Sequence, residues 1–121
     1  MQLSLNLSDD DQAKSTYPVL TITASRRGLT GAQKKRLASL IRRIRPEEVL
    51  HGDCVGGDAD CHRIVTACSR ALVGVYPSDR SGQRAFCGGV EVKAVPRPPL
   101  ERNRTMVRRS SLVVAFPASF S

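Results

Sequence analysis

The stretch VLHGDCVGGDADCHRIV, residues 49–65, places a glycine-rich turn between a short apolar run and an amphipathic segment. Val49 to His51 predicts a strand, and the apolar stripe that contains Ile64 and Val65 predicts a helix. At such a junction glycine lets the backbone approach a ligand closely, and the first amides of the helix lack partners within it. The pattern therefore indicates a strand–turn–helix unit that can hold a phosphate.

Two better-known phosphate motifs do not fit this turn. The stretch matches neither GxGxxG nor GxxxxGK[ST], which disfavours a standard dinucleotide-dependent dehydrogenase and a Walker-type hydrolase. The acidic residues have an alternative structural interpretation, in which Asp58 is the N-cap of the helix and Asp60 complements its dipole. Both interpretations of Asp58 stay open at this stage.

A second candidate group is found at the start of a later helical stretch, in the run LERNR of residues 100–104. The guanidinium of Arg102 suits a phosphate, and Asn103 can hydrogen-bond a sugar or a base. The alternative is a surface helix with salt bridges. Ser25 and Arg26 follow the first predicted strand, so all four residues are expected at the sheet edge where ligands bind in open α/β folds.

The rest of the chain alternates between strand and helix patterns. Thr30 and Gln33 have the form of a capping box, which predicts a helix that ends at Pro46. Alternation of this kind favours a parallel sheet covered on both faces. The other predicted elements are strands at 19–23, 71–76, 90–95 and 112–116, a loop at 77–89 and a helix at 100–109.

Length and charge limit the possibilities further. The 121 residues suit one domain, expected at 18–121 after a flexible acidic segment at 1–17. The net charge of +8 favours an anionic partner, whether a nucleotide, a nucleic acid or an acidic protein.

Location and redox state are predicted from what the sequence lacks. The longest apolar run, Leu112 to Phe116, is far short of the roughly 20 residues that cross a bilayer, and the first residues do not form a secretory signal. We expect a cytoplasmic chain with no membrane partner. The cysteines lack metal or redox spacing, which predicts reduced thiols and no metal site; they are Cys54, Cys61, Cys68 and Cys87.

Three motifs together resemble the SLOG superfamily. They are TASR at residues 23–26, HGDCVGGDAD at 51–60 followed by His62, and ERNR at 101–104 before an apolar strand. The likeness spans residues 19 to 117. The superfamily includes the Lonely Guy phosphoribohydrolases, the DNA-processing protein A family and many small bacterial and phage proteins.

The resemblance implies a single α/β domain, Rossmann-like and three-layered, with a mainly parallel sheet that binds a nucleotide or an NAD-derived signal. In such a domain the glycine-rich loop holds phosphate and the serine–arginine pair lines the pocket. No further cofactor is implied, and relatives often form dimers. The ligand-binding roles carried over are those of Ser25, Arg26, Gly52, Asp53, Gly56, Gly57, Asp58, Arg102 and Asn103.

The chain departs from this family after its last strand. Relatives continue into a second phosphate turn, where the hydrolases carry an essential glutamate, whereas residues 117–121 read PASFS, so the domain is expected to be shortened at its C-terminus. This departure favours binding over catalysis. Cleavage of the N-glycosidic bond of a nucleoside monophosphate is the enzymatic alternative, with Asp58, Glu101 or Arg102 as catalytic candidates. Binding of single-stranded nucleic acid is the third possibility.

Overall fold

A computed structural model describes residues 15–118, except for the side chain of Ser81. The expectation of a flexible segment at 1–17 therefore falls mainly outside the described residues. The elements, in chain order, are β1 (Val19–Ala24), α1 (Gly31–Ile44), β2 (Glu48–His51), α2 (Gly57–Cys68), β3 (Leu72–Val75), a 3-10 turn (Ser81–Gln83), β4 (Glu91–Val92), α3 (Pro99–Arg109) and β5 (Leu112–Phe116).

The predicted boundaries of α1 are confirmed by their hydrogen bonds. The Thr30 hydroxyl accepts the amide hydrogen of Gln33 at 3.1 Å, and the Gln33 side chain accepts that of Thr30 at 2.9 Å. The helix ends at Ile44, and its C-cap Arg45 has a left-handed φ of 46°, immediately before Pro46. Proline lacks an amide hydrogen and cannot continue the helix.

All strand pairs in the five-stranded sheet are parallel, in the order β4-β3-β2-β1-β5. From β1 to β4 the chain steps in one direction, and it then returns across the sheet to place β5 beside β1. Because crossovers between parallel strands are almost always right-handed, the return brings its helix to the opposite face. The architecture is a single Rossmann-like α/β domain.

The core has two parts, one on each face of the sheet. The larger part packs α1 and α2 against alternate residues of the strands, including Leu20, Val49 and Val75. The smaller part lies under α3 and contains Leu50, Tyr76 and Met106. This alternation follows from the two-residue period of a strand, so both faces of the central strands are buried.

One predicted strand is shorter than expected. The sequence predicts a strand over residues 90–95, but only Glu91 and Val92 pair with β3. The physical reason lies in the neighbouring strand, since β3 ends at Val75 and Pro77 has no amide hydrogen to offer. The ladder therefore stops after Lys93, whose amide donates to the Val75 carbonyl at 2.9 Å.

The structure bears on two further expectations, which concern the cysteines and membrane-spanning helices. All four cysteines are free thiols. None of the helices in residues 15–118 has the length and apolar character that a membrane crossing requires.

Candidate functional site

A cavity of about 310 Å³ opens at the carboxyl edge of the sheet, beside the start of α3. It lies where β1 is flanked by β2 on one side and β5 on the other, which is the point at which the strand order reverses. Open parallel sheets bind ligands at this position. The polar groups that line the cavity are Thr23, Ser25, Arg26, Cys54, Asp58, Ser78, Arg80, Gln83, Arg102 and Asn103.

Six of the residues singled out from the sequence meet in this cavity. They come from three separated parts of the chain, as the position of parallel strand ends predicted, and they are Ser25, Arg26, Gly52, Asp58, Arg102 and Asn103. The other four do not line it. Asp53 and Gly56 belong to the turn behind the cavity wall, Gly57 is the first residue of α2, and Glu101 is exposed at the start of α3.

Arg102 is the most deeply placed cation of the cavity, with 8% of its surface exposed. Its Nη1 donates to the carbonyl oxygens of Gly52 and Tyr76, both at 3.0 Å, and its Nε donates to Asn103 Oδ1 at 2.7 Å. Within residues 15–118, no carboxylate oxygen lies within 4.0 Å of this guanidinium. The positive charge is therefore buried without a direct ion pair.

Asp58 is the acidic group of the cavity, and it is 5% exposed. The interpretation of this residue as the N-cap of the helix is wrong, because Gly56 occupies that position. The Asp58 carboxylate instead turns back and accepts the amide hydrogen of Cys54 at 3.1 Å. Burial raises the pKa of Asp58, although backbone hydrogen bonds and the charge of Arg102 act against the rise.

The backbone amides of the glycine-rich turn are largely engaged within the protein. They were expected to cradle a phosphate, yet four of them donate to acceptors within the protein. The amide of Asp53 donates to His51 Nδ1 at 2.9 Å, and that of Cys54 donates to Asp58. The amides of Val55 and Gly57 donate to the carbonyls of Gln83 and Ser25, both at 2.8 Å. The anion that this turn already binds is the Asp58 carboxylate. A ligand phosphate must therefore find other donors.

Close packing explains the glycines of the turn. A Cβ atom on Gly52 would lie 2.1 Å from Arg102 Nη1. Gly56 has a φ of 87°, and a Cβ there would lie 2.0 Å from the Arg26 carbonyl oxygen. The glycines thus let the turn press against β1 and α3, so they shape the cavity wall from behind.

Asp53 joins the turn to the loop that follows β3. Its fully buried carboxylate accepts Arg84 Nε at 2.8 Å and the Cys87 amide at 2.9 Å, while its carbonyl accepts the Ala85 amide at 2.7 Å. Burial opposes ionisation, yet these hydrogen bonds outweigh it and lower the pKa of Asp53. The residue therefore has a structural task, which is to fix the loop at 84–87.

His51, His62 and Cys87 form a second polar cluster behind the turn, with their donor atoms within 4.8 Å of one another. The Asp53 amide donates to His51 Nδ1, which leaves the His51 proton on Nε2, 3.2 Å from His62 Nδ1; His62 Nε2 then donates to the Gly88 carbonyl at 2.9 Å. A metal-bound histidine usually donates the proton of its second nitrogen. His62 has that arrangement, but His51 does not, because its Nδ1 accepts the Asp53 amide hydrogen.

One part of the cavity lining was not predicted from the sequence, and it lies in the loop after β3. Ser78, Arg80 and Gln83 line it from the loop after β3. The signal was present, since this loop follows the carboxyl end of a parallel strand, as Ser25 and Gly52 do. The loop was not predicted as part of the site because it carries neither a glycine-rich turn nor a helix start.

Comparisons of the chain with protein-family models, curated protein sequences and solved structures find no match.

Proposed function

We propose that the cavity binds a small phosphorylated ligand of mononucleotide size. The observation that supports this most strongly is Arg102, a buried guanidinium that has carbonyl partners but, among residues 15–118, no carboxylate partner. Buried charges are costly unless they are compensated. Asp58 is the one carboxyl group of residues 15–118 that lines the cavity and it faces three arginines, so an anionic ligand is the natural further counterpart. Arg26 and Arg80, both exposed, add two further cations around the same cavity.

The arginines, rather than the turn amides, are the proposed phosphate donors. A guanidinium offers paired N–H groups that match two phosphate oxygens. The apolar surface of Pro99 suits a base, and the hydroxyl of Ser25 and the amide of Asn103 suit a sugar. A volume of about 310 Å³ lies at the lower end of the range for ligand pockets, which favours one nucleotide over a dinucleotide.

Isothermal titration against the four nucleoside monophosphates, ribose 5-phosphate and adenosine tests the proposal. We expect the phosphorylated compounds to bind and adenosine to bind at least about tenfold more weakly. Arg80→Gln should also weaken binding by about tenfold, because it removes a charge-assisted hydrogen bond at an exposed position.

The matched control is Arg108→Gln, which removes an exposed arginine from the far end of α3. This variant should bind as the unmodified chain does. Equal affinities in the Arg80 and Arg108 variants, or no heat with any of the phosphorylated compounds, would remove the proposal.

A second candidate function is hydrolysis of the N-glycosidic bond of a nucleoside monophosphate. The observation that favours it is Asp58, a carboxyl group in the cavity whose pKa is raised by burial. A carboxyl group of this kind can stabilise the positive charge that develops at the sugar carbon, or it can protonate the departing base. Chromatography of released base decides, since Asp58→Asn should abolish release, and a rate no greater than the buffer blank excludes the reaction.

A further inference from the structure

A groove of about 610 Å³ lies between α1 and β5, the strand at one end of the sheet. We call it the α1–β5 groove. Its apolar lining comes from Leu40 of α1 and from Val114 and Phe116 of β5, and its charged lining comes from Arg36 and Arg43. Among residues 15–118, no acidic residue lines it. The groove therefore combines an apolar surface with positive charge.

The two arginines of the groove lack a direct ion pair with the described chain. Both Arg36 and Arg43 are exposed, and no carboxylate oxygen of residues 15–118 lies within 4.0 Å of either guanidinium. Positions seven apart lie on the same face of a helix, about 10 Å apart along its axis. Because Leu40 lies between them on this face, the groove presents an apolar centre flanked by two cations.

The backbone of β5 can accept a further strand beside this groove. One side of β5 pairs with β1, and no other strand of residues 15–118 pairs with its second side. The Phe116 carbonyl points towards β1, because it accepts the Ser25 amide hydrogen at 3.0 Å. Backbone groups alternate in direction along a strand, so the N–H and C=O groups of Val113 and Ala115 point away from β1. An exposed edge of this kind is a template for strand pairing.

The face of β5 opposite the groove is apolar as well. Val113 pairs with Thr21, whose hydroxyl donates to the Met106 carbonyl of α3, so the Val113 side chain lies on the α3 face of the sheet. Its surface is 40% exposed, and Ala115 on the same face is also exposed. A strand added to this edge would cover apolar side chains on both of its faces.

We propose that the edge of β5 and the α1–β5 groove bind an extended acidic segment of another protein by strand addition. Charge complementarity identifies this partner, because the groove carries two arginines and neither α1 nor β5 contains an acidic residue. A second copy of the chain would bring the same arginines to the same edge, which is unfavourable. A nucleic acid would supply negative charge but no backbone that pairs with a strand.

The spacing of the arginines indicates the sequence pattern of the partner. Side chains on one face of a strand recur about every 7 Å, so residues four positions apart are separated by about 13 Å. Two acidic residues at this spacing can reach Arg36 and Arg43, since arginine side chains are long, and the residue midway between them faces Leu40. The expected pattern is acidic–x–apolar–x–acidic, with apolar residues at both x positions to cover Val113 and Ala115.

Fluorescence anisotropy with two fluorescein-labelled, amidated peptides tests the pattern. The peptide SEVLVES places both glutamates and the leucine on one face, whereas the control SVELEVS has the same composition and charge but its glutamates lie two positions apart, on the face opposite the leucine. We expect SEVLVES to bind at least about tenfold more tightly than SVELEVS. Equal affinities, or no binding of either peptide, would overturn the proposal.

The double variant Arg36→Gln, Arg43→Gln tests the charged side of the groove. It should bind SEVLVES about tenfold more weakly than the unmodified chain, because two exposed ion pairs are lost. The matched control is Lys34→Gln, Lys35→Gln, which removes the same charge from the same helix at positions that do not line the groove. This control should bind as the unmodified chain does, and equal affinities of the two double variants would contradict the proposal.

Amide hydrogen exchange on the full chain tests the strand pairing. Saturating SEVLVES should slow exchange at the amides of Val113 and Ala115 at least about tenfold. Unchanged exchange at these amides would exclude pairing with β5. Exchange that is equally slow before the peptide is added would show that the chain, or a second copy of it, already covers the edge. Equal slowing by a 30-nucleotide strand of DNA would overturn the proposal in favour of a nucleic acid.

Discussion

Arg102 connects the separate parts of the candidate site. Its guanidinium donates to carbonyl groups at the ends of β2 and β3, so it fixes the relative position of the glycine-rich turn and the loop after β3. The same group lines the cavity and has no carboxylate partner within 4.0 Å among residues 15–118. A single side chain thus combines a structural task with the charge that the proposed ligand requires.

Gly56→Ala should destabilise the protein by about 1–3 kcal/mol or more, because the new Cβ atom requires an unfavourable positive φ and meets the Arg26 carbonyl oxygen at 2.0 Å. Urea denaturation measures the change in the free energy of unfolding. Gly31→Ala is the control, since no atom lies within 4 Å of its Cβ position. Equal stability of the two variants would contradict the packing of the turn described above.

His51 should make the stability depend on pH. Burial, with a contribution from the neighbouring His62, lowers the pKa of His51 to about 4, from an ordinary value of 6.5. Between these values the unfolded chain binds a proton that the folded chain does not, so stability falls as the pH falls through this range. The loss at pH 4 should be about 3 kcal/mol.

Urea denaturation at pH 7.0, 5.5 and 4.0 measures this dependence. In His51→Asn, which keeps an acceptor near the Asp53 amide but cannot titrate, the slope between pH 6.5 and 4 should be much smaller. An unchanged slope in the variant would assign the effect to other groups.

At this scale the sequence predicted which residues meet but not what their atoms do. Ser25, Arg102 and Asn103 could be placed on one edge because parallel strands end on the same side. The contacts of Asp53 and Asp58 depend on how the turn packs in the folded chain. Asp53 binds Arg84, and the carboxylate of Asp58, which belongs to α2, accepts the Cys54 amide of the turn. No local pattern distinguishes these carboxylates from groups that bind a ligand.

Among the elements, α1 begins with the most complete local signal. Its capping box satisfies amides at both Thr30 and Gln33, and the Gln33 side chain also donates to the Pro117 carbonyl at 3.0 Å, beyond the end of β5. The start of the helix is thereby tied to the last strand. Capping of α1 consequently supports the edge of the sheet at β5.

Thr30→Ala should cost about 0.5–2 kcal/mol of stability, because the Gln33 amide loses its acceptor. Thermal unfolding followed by circular dichroism measures the effect. Thr66→Ala serves as the control, since this exposed hydroxyl bonds back to the His62 carbonyl within α2 and caps no helix end. A cost for Thr30→Ala no larger than that for Thr66→Ala would count against the cap.

Elements with a clear period and a cap were predictable, whereas the short edge strand was not. The helices at 31–44 and 99–109 follow apolar spacing and N-terminal signals within one or two residues. The length of β4 is decided by its neighbour, because Pro77 has no amide hydrogen with which to continue the ladder after Lys93 and Val75. The sequence of residues 90–95 contains no information on that partner.

For the whole molecule, the net charge of +8 is distributed unevenly. The outer face of α1 carries five exposed cations without an acidic residue, whereas the cavity concentrates three arginines around one carboxyl group. The two surfaces are made of different residues, because Lys34 and Lys35 do not line the cavity. Binding of a long polyanion and binding of a small phosphorylated ligand can therefore be tested with different variants.

We expect single-stranded DNA to bind weakly and mainly through its phosphates, because three Phe, two Tyr and no Trp leave little aromatic surface for stacking bases. Gel retardation of a 30-nucleotide strand should therefore fall steeply as salt rises. The double variant Lys34→Gln, Lys35→Gln should reduce the slope of log affinity against log salt by about 1.4, because each neutralised phosphate of a single strand contributes roughly 0.7 to that slope. The same variant should bind nucleoside monophosphates as the unmodified chain does. Loss of nucleotide binding in this variant would show that the two surfaces are not independent. Retardation that does not respond to salt would show that the strand does not bind mainly through its phosphates.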